Sequence, residues 1–402
     1  MDQMSETTVL NKIQQSEYKL MSAILYRHLT EGNSIGLWKL PNVAKKNLIV
    51  CTEGVRLIQD VVLEEIGTGF LFSPFDGEKE KAFLKANLTF AFEHGEVTTD
   101  NDVADYEAQS DHIESARTSN THPLPFHISN KTRKGSASRE EFIELIEKSM
   151  RLIQANQLEK LVPSRSKEIS LPNNFDLLAV FNSLCSLYPN AFISLVSTPE
   201  YGTWIGASPE LLVAVDANLK FKTAAVAGTQ AIAPDVDLRM VAWTQKEIEE
   251  QALVSRYIIN CFKKIRLREF DEHGPKSWRA GNLVHLKTEF EVDMVATNFP
   301  QLGTVMLKLL HPTSAVCGMP REESINFLLQ NENLDRSFYS GYLGPVNFQH
   351  ETSLYVNLRC MEWNLKTATL YAGAGVTLDS NAAREWEETE QKMETLLKVI
   401  AP

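Results

Sequence analysis

With 402 residues, 43% of them hydrophobic, the chain holds enough apolar material for a large buried core. A charged fraction of 23% excludes wholesale disorder. The formal net charge of -12 argues against nucleic acid as a partner, because phosphate contacts need clustered Lys and Arg, but it allows a small anionic substrate in a locally positive site.

Residues 1–20 are polar and mixed in charge and carry no signal-peptide pattern. No apolar run approaches the roughly 20 residues needed to cross a bilayer. Leu10, Ile13, Leu20, Ile24, Leu25 and Leu29 recur at helical spacing and predict a helix over about 10–30. Short strand-like runs follow, Asn47 to Cys51 and Gly69 to Phe72, broken by the turn material of Ser73 to Gly77. Residues 96–138 are rich in Asp, Glu, Ser, Thr and Asn and read as an exposed insertion between an N-terminal segment (1–135) and a C-terminal block (136–402).

That block opens with a predicted helix at 139–156, where Ser138 and Glu141 have capping-box spacing. Strands are predicted at 160–169, 192–198, 202–207, 211–215, 219–227, 284–293, 353–363 and 367–376. Helices are predicted at 176–187, 236–266, 300–310, 320–330 and 381–400. Apolar and polar residues alternate through Leu354 to Cys360, a pattern of antiparallel strands with one face on a core. Strands mixed with helices, without regular βαβ alternation, indicate an α+β fold. Five cysteines without a CxxC pair read as buried free thiols in a reducing cytoplasm, and a soluble cytoplasmic protein with no membrane partner is expected.

Several side chains stand out chemically. On the last helix, with Asp379 or Ser380 as its cap, Glu385, Glu388 and Lys392 share a face, and Trp386, Met393, Leu397 and Ile400 form a second stripe. By itself this is an ordinary amphipathic helix with an intrahelical Glu-Lys pair. The preceding Tyr371-Ala372-Gly373-Ala374-Gly375-Val376 ends in small residues, which suits either close backbone approach to a ligand or a packed bulge. Glu247 and Glu250 repeat the i, i+3 spacing near the start of a helix over 244–265, either to favour its N-terminus through the dipole or, with the other pair, to hold a hard cation such as Mg2+. Lys160 enters a strand, as a snorkelling side chain or as a desolvated base. Glu210, beside Leu211 and Leu212, is a surface turn residue or an acid of raised pKa. His285 and His311 are single histidines of the kind usually satisfied in a core. Arg359 is the one cation on an apolar strand, with a guanidinium fork that matches a carboxylate.

In order along residues 140–402, Leu158 to Arg165, Gly206 to Leu212, Val226 to Thr229, Lys246 to Val254, His311 to Gly318, Arg336 to Gly344, Ala372 to Val376 and Glu385 to Thr389 together resemble the chorismate-utilising enzymes, among them isochorismate, salicylate, anthranilate and aminodeoxychorismate synthases. The resemblance implies a single chorismate-binding fold of two stacked, largely antiparallel sheets with helices outside. It also implies Mg2+ bound directly by Glu250 and Glu388, with Glu247 and Glu385 holding its waters. Arg359, Tyr339, Gly375 and Lys392 would bind the carboxylates of chorismate, and His285, Thr313 and Ala315 would line the ring pocket. In water-adding members a lysine stands at the position of Lys160 as general base, where ammonia users carry glutamine. Aminodeoxychorismate synthases carry a nucleophilic lysine at the position of Ala227, and alanine cannot form that bond. The resemblance thus implies isochorismate synthase, with Glu210 as general acid, serving menaquinone or catechol siderophore synthesis. It implies a monomer without a glutamine amidotransferase subunit. Salicylate synthase is the alternative enzyme, and a non-catalytic chorismate-binding protein the alternative outside enzymes. Pro163 and Gln251 depart from the usual motifs, the first where an aliphatic residue is usual and a bend is expected, the second in place of a common histidine.

Overall fold

The computed structural model describes residues 2–99, 123–129, 137–231, 236–280 and 283–400, with side chains from residue 15 in the first helix and not at 231 or 280. Two nine-stranded sheets dominate, and every strand pair among the described residues is antiparallel. The first sheet runs from edge to edge through Glu96–Thr99, Leu88–Glu93, Lys46–Cys51, Ser34–Lys39, Phe192–Thr198, Gly202–Ser208, Cys360–Asn364, Thr367–Gly373 and Ser164–Ser170. The second runs through Asp271–Ala280, Leu283–Asp293, Lys220–Ala231, Leu211–Val215, Thr352–Val356, Tyr342–Val346, Gly69–Ser73, Lys81–Lys85 and Arg56–Ile58. Lys160–Leu161 and Gly318–Met319 form a separate two-stranded ribbon.

Seven helices are described: α1 (Asp2–Thr30), α2 (Arg139–Gln154), α3 (Leu177–Leu187), α4 (Gln245–Lys264), α5 (Leu302–Leu310), α6 (Arg321–Asn331) and α7 (Ala382–Ile400). The period-two geometry of strands explains how they cover the sheets. In Phe192–Thr198, Phe192 and Val196 point into the layer between the sheets, while Ile193 and Leu195 point outward under α1, α3 and α7. In Gly69–Ser73, Phe70 and Phe72 point between the sheets and Leu71 outward, toward the core beneath α2, α4 and α5. Aromatic rings fill the middle layer, with Phe192 stacked on Tyr355 at 4.3 Å and Phe72 edge-on to Trp204 at 6.1 Å. The α+β fold of two stacked antiparallel sheets with helices outside is therefore the one expected.

Several elements differ from the sequence reading. The predicted strand 353–363 is two strands in different sheets, because the chain leaves the second sheet after Val356 and enters the first at Cys360. Arg359 thus lies in a crossover, with φ +49°, and not on a strand. Pro163 divides the predicted strand 160–169, since proline has no N–H for a ladder. The predicted helix 236–266 begins as a short 3-10 turn, Leu238–Met240, and becomes helical only at Gln245. Asp271–Ala280, DEHGPKSWRA, is an edge strand too polar to show a strand pattern. Glu96–Thr99 is an edge strand with Glu96 and Thr98 exposed, whereas Leu124 and Phe126 are buried, so 96–138 is not exposed throughout; residues 100–122 and 130–136 of that stretch lie outside the described residues. On α7 the buried stripe is Met393, Leu396 and Ile400, with Trp386 and Leu397 only partly buried. Asn381 caps that helix by accepting Arg384 N–H at 3.2 Å, whereas Ser380 Oγ accepts from Thr377 N. The cysteines are free, with Cys185 half-buried and the other four buried. No helix among the described residues is long and apolar enough to cross a membrane.

Ser138 and Glu141 form the expected reciprocal capping box on α2, at 3.1 and 2.7 Å. Ser138→Ala is expected to lower stability by about 1 kcal/mol, measured as a shift in the urea midpoint at unchanged slope.

Candidate active site

The short Lys160 strand is placed by its neighbours. Leu161 and Val376 exchange backbone hydrogen bonds at 3.1 and 2.7 Å, which sets Lys160 against the turn containing Gly375. The lysine is fully buried, and its Nζ donates to Glu250 Oε1 on α4 at 2.8 Å. A Cβ on Gly375 would lie 2.3 Å from that same oxygen and 3.3 Å from Lys160 Cε, so only glycine fits between the pair and the cleft. Burial works to raise the Glu250 pKa, but the charge and hydrogen bond of Lys160, with Lys246 and Lys392, outweigh it and hold the carboxyl below its usual range.

Glu250 and Glu388 line one cleft together with Glu210, Ala227, Gly228, Thr229, His285, Ala315, Tyr339, Arg359, Gly375 and Lys392. One glutamate of each acidic pair therefore reaches the same cleft, whereas Glu247 and Glu385 do not line it. Each of three glutamates is matched by a lysine: Glu250 by Lys160, Glu388 by Lys392 at 2.7 Å, and Glu385 by Lys246 at 2.6 Å across the α4–α7 interface. Lys392 also donates to the Gly373 carbonyl at 2.8 Å. Glu385 is 1% exposed, and burial, followed by repulsion from Glu388, raises its pKa against the pull of Lys246. Glu247 is mainly a helix cap: its Oε2 accepts from Thr244 N at 2.7 Å and Thr244 Oγ1 at 2.5 Å.

Among the described residues no three acidic, His or Cys side chains meet closely enough to hold a metal by themselves. The donor set nevertheless suits magnesium. Glu250 and Glu388 offer hard oxygens to the cleft, and Glu385 Oε2 is buried without a hydrogen-bond partner. Mg2+ commonly takes one or two carboxylates and completes its octahedron with waters and an anionic substrate, so a third protein ligand is not required.

Other walls of the cleft are shaped by irregular backbone. Gly228 has φ +66° at a break in register between Ala227 and Gln230. Its carbonyl oxygen accepts from His285 Nδ1 at 2.8 Å, which makes Nδ1 the protonated nitrogen and leaves Nε2 as a lone pair. Burial and the charge of Arg359 push the His285 pKa down to about 3, so the ring is neutral. Arg359 Nη2 lies 3.4 Å from His285 Nε2 and Nη1 lies 3.3 Å from Thr395 Oγ1. Burial lowers the Arg359 pKa to about 10, and the side chain forms no ion pair among the described residues. A buried guanidinium facing a cleft with no carboxylate partner is suited to receive one from a ligand. Tyr339, stacked on Tyr371 at 5.4 Å, closes the wall nearby.

Glu210 is 5% exposed. Burial raises its pKa to about 7 against the opposing pull of Lys160, Thr313, Lys392 and Arg359. Thr313 Oγ1 donates to Glu210 Oε1 at 3.3 Å and is thus a partner of the acid behind the wall, while Ala315 lines the cleft itself. His311, buried against Tyr342 with Nε2 3.3 Å from the Pro74 carbonyl, is the core histidine expected.

A model of the family described as "Chorismate binding enzyme" matches residues 75–401. The chain belongs to the chorismate-binding enzymes. Its relatives include the vibriobactin-specific isochorismate synthase of Vibrio cholerae, 27% identical over 68% of this chain and 70% of that protein. Isochorismate synthase EntC of Escherichia coli K12 is 28% identical over 64% of this chain and 66% of its own length, so the chain spans about two thirds of these relatives. The menaquinone-specific isochorismate synthase MenF of Escherichia coli has the same fold, with TM-score 0.69 and 20% identity over 91% of this chain and 88% of that one. Anthranilate synthase component I of Streptococcus pneumoniae fits nearly as well, with TM-score 0.65 and 18% identity over 90% and 89%. The fold is thus shared by a protein named isochorismate synthase and one named anthranilate synthase component I.

Lys246 was not singled out from the sequence of this chorismate-binding enzyme. Its i, i+4 spacing to Glu250 suggests an intrahelical pair, but its partner is Glu385 on another helix. Thr395 and Tyr371 carry no sequence signal of their polar or stacking contacts at the site. Gly375→Ala is expected to displace Glu250 and weaken chorismate binding at least tenfold with little change in melting temperature, as measured by isothermal titration with and without Mg2+.

Proposed function

We propose that this chorismate-binding enzyme is an isochorismate synthase dependent on Mg2+. The observation that carries the reading is Glu210, a buried carboxyl on the cleft whose pKa, raised to about 7, keeps a proton available near neutral pH. Lys160 with Ala227 favours water as the nucleophile over ammonia or a lysine. The relatives named isochorismate synthase support the same choice.

In this mechanism Arg359 pairs with a carboxylate of chorismate, with Tyr339, Lys392 and the Gly375 backbone completing its recognition. Neutral His285 and Ala315 border the ring, and Thr313 orients Glu210. Glu250 and Glu388 would hold Mg2+ directly, and Glu247 and Glu385 through waters. When bound, the ion neutralises the ring carboxylate. Lys160 is the general base and takes a proton from water as the oxygen bonds to C2. The ring double bond shifts, the C4–O bond breaks, and Glu210 gives its proton to the departing hydroxyl, which leaves as water. Water is consumed and released in equal number, so the reaction is an isomerisation. The reading includes a cytoplasmic, monomeric enzyme that needs no amidotransferase subunit.

Purified protein with chorismate and Mg2+ is expected to accumulate isochorismate, identified by chromatography. Salicylate with an equivalent of pyruvate would identify the lyase instead, and no turnover under conditions where a known isochorismate synthase works would remove the enzyme reading. Lys160→Ala should lower kcat by 10²-fold or more while chorismate still binds; Glu388→Gln should lose the Mg2+ dependence of that binding.

The pH dependence has a definite sign. Glu210 acts in its protonated form, so kcat/KM should fall as pH rises through about 7. Glu210→Gln should lose turnover and keep binding. An activity profile flat from pH 6 to 8.5 would rule out Glu210 as the acid.

A further inference from the structure

A buried ion pair behind the cleft has no part in the chemistry assigned above. Arg336 is 4% exposed and Glu332, one helical turn earlier in sequence, is 9% exposed. Arg336 Nε donates to Glu332 Oε2 at 2.7 Å and Nη2 to Glu332 Oε1 at 2.5 Å. The remaining donors leave the pair: Nη2 reaches the Val162 carbonyl at 2.7 Å and Nη1 the Val316 carbonyl at 2.8 Å. Glu332 Oε1 also accepts Ser164 N–H at 2.8 Å. The guanidinium carbon lies 4.3 Å from the centre of the Phe75 ring.

Each tied segment carries a working residue. Val162 lines the cleft two positions after Lys160, at the point where Pro163 interrupts the strand. Val316 also lines it, and its N–H bonds back to the carbonyl of Thr313, whose hydroxyl holds Glu210. Both carbonyls belong to non-repetitive backbone. The Lys160–Leu161 and Gly318–Met319 ribbon and the Val162 N–H bond to the Cys317 carbonyl at 3.1 Å already join the two segments, but neither pairs the Val162 and Val316 carbonyls, and an unpaired carbonyl in the interior is costly. The planar guanidinium serves both carbonyls and its counter-ion from one rigid group, which an ammonium cannot do. Burying a charge pair is also poor economy for stability alone, since apolar residues of similar volume often serve as well.

We infer that Arg336, with Glu332 as counter-ion, is a positioning residue that fixes the backbone bearing Lys160 relative to the backbone bearing Thr313, and so sets the base against the acid. This rests on the isochorismate synthase reading. The pair touches no substrate atom; it acts through the Val162 and Val316 carbonyls.

The test uses the full-length protein with two variants, Arg336→Lys and the double variant Arg336→Met with Glu332→Leu. The double variant removes both charges together, leaves no unpaired ion inside and is expected to fold. For each, kcat and KM for chorismate, the melting temperature and the pH profile are measured. Loss of position should lower kcat at least tenfold with KM within threefold of wild type. It should also move the alkaline limb to higher pH by about half a unit or more. Glu210 faces Lys160, Lys392, Arg359 and Thr313, and loosening the Thr313 bond removes one of the groups that lower its pKa. A merely structural pair would leave the limb in place in whatever fraction remains folded. A folded double variant with wild-type kcat and limb overturns the inference, as does failure of both variants to fold, which would make the pair a requirement of the fold only. If wild-type protein does not turn over chorismate, the functional reading fails instead. Hydrogen exchange then reads the clamp: faster exchange of the double variant at 160–164 and 313–318, with α3 unchanged, supports it, and unchanged exchange there overturns it.

Discussion

Charge inside a partly closed cleft has to be balanced, and the balance here is struck between lysines and glutamates drawn from distant parts of the chain. Lys160 is wholly buried and would be untenable as an isolated ammonium; its bond to Glu250 makes it possible. The same rule gives Glu385 its Lys246 and Glu388 its Lys392. Arg359 is the exception among these cations, buried and without a carboxylate among the described residues. The site thus has acids matched by protein cations in one part, and a guanidinium available to an anion in another. Glu210 is governed by the same physics with the opposite outcome. It has no direct cation, so desolvation prevails over the more distant positive charges and its proton is retained.

The backbone departs from regularity at the places where this balance is built. Arg359 has φ +49° in the crossover between sheets, a conformation disfavoured for a side chain with a Cβ and held by the strands on either side. Pro163 ends the Lys160 ribbon so that the following strand can enter the first sheet. Gly228 turns a carbonyl onto His285, and Gly375 leaves room for Glu250. The sheets on either side supply the rigidity that lets a few such residues hold their positions. Functional groups therefore come from strand ends, crossovers and helix faces around a stiff aromatic middle layer.

The sequence by itself determined the chemical inventory. Capping at Ser138, the acidic i, i+3 pairs, the glycines before α7 and the lone cations are local patterns, and local physics makes them legible: helix spacing says which side chains share a face, and glycine says where backbone must pass closely. The ordered motifs from Leu158 to Thr389 also carried the family. Where sequence reasoning went astray, the reason was nonlocal. Alternation through Leu354 to Cys360 looks like one strand because periodicity reports which face a residue takes and not which sheet it joins. Asp271–Ala280 is an edge strand whose polar side chains hide its partner. Only the tertiary structure decided that Lys246 reaches Glu385 across two helices, that Thr313 serves Glu210 from behind the wall, and that Glu247 is spent mainly on capping its helix. Those outcomes depend on which distant groups share a low-dielectric interior, and partner choice there is set by packing and desolvation, quantities that no local spacing encodes.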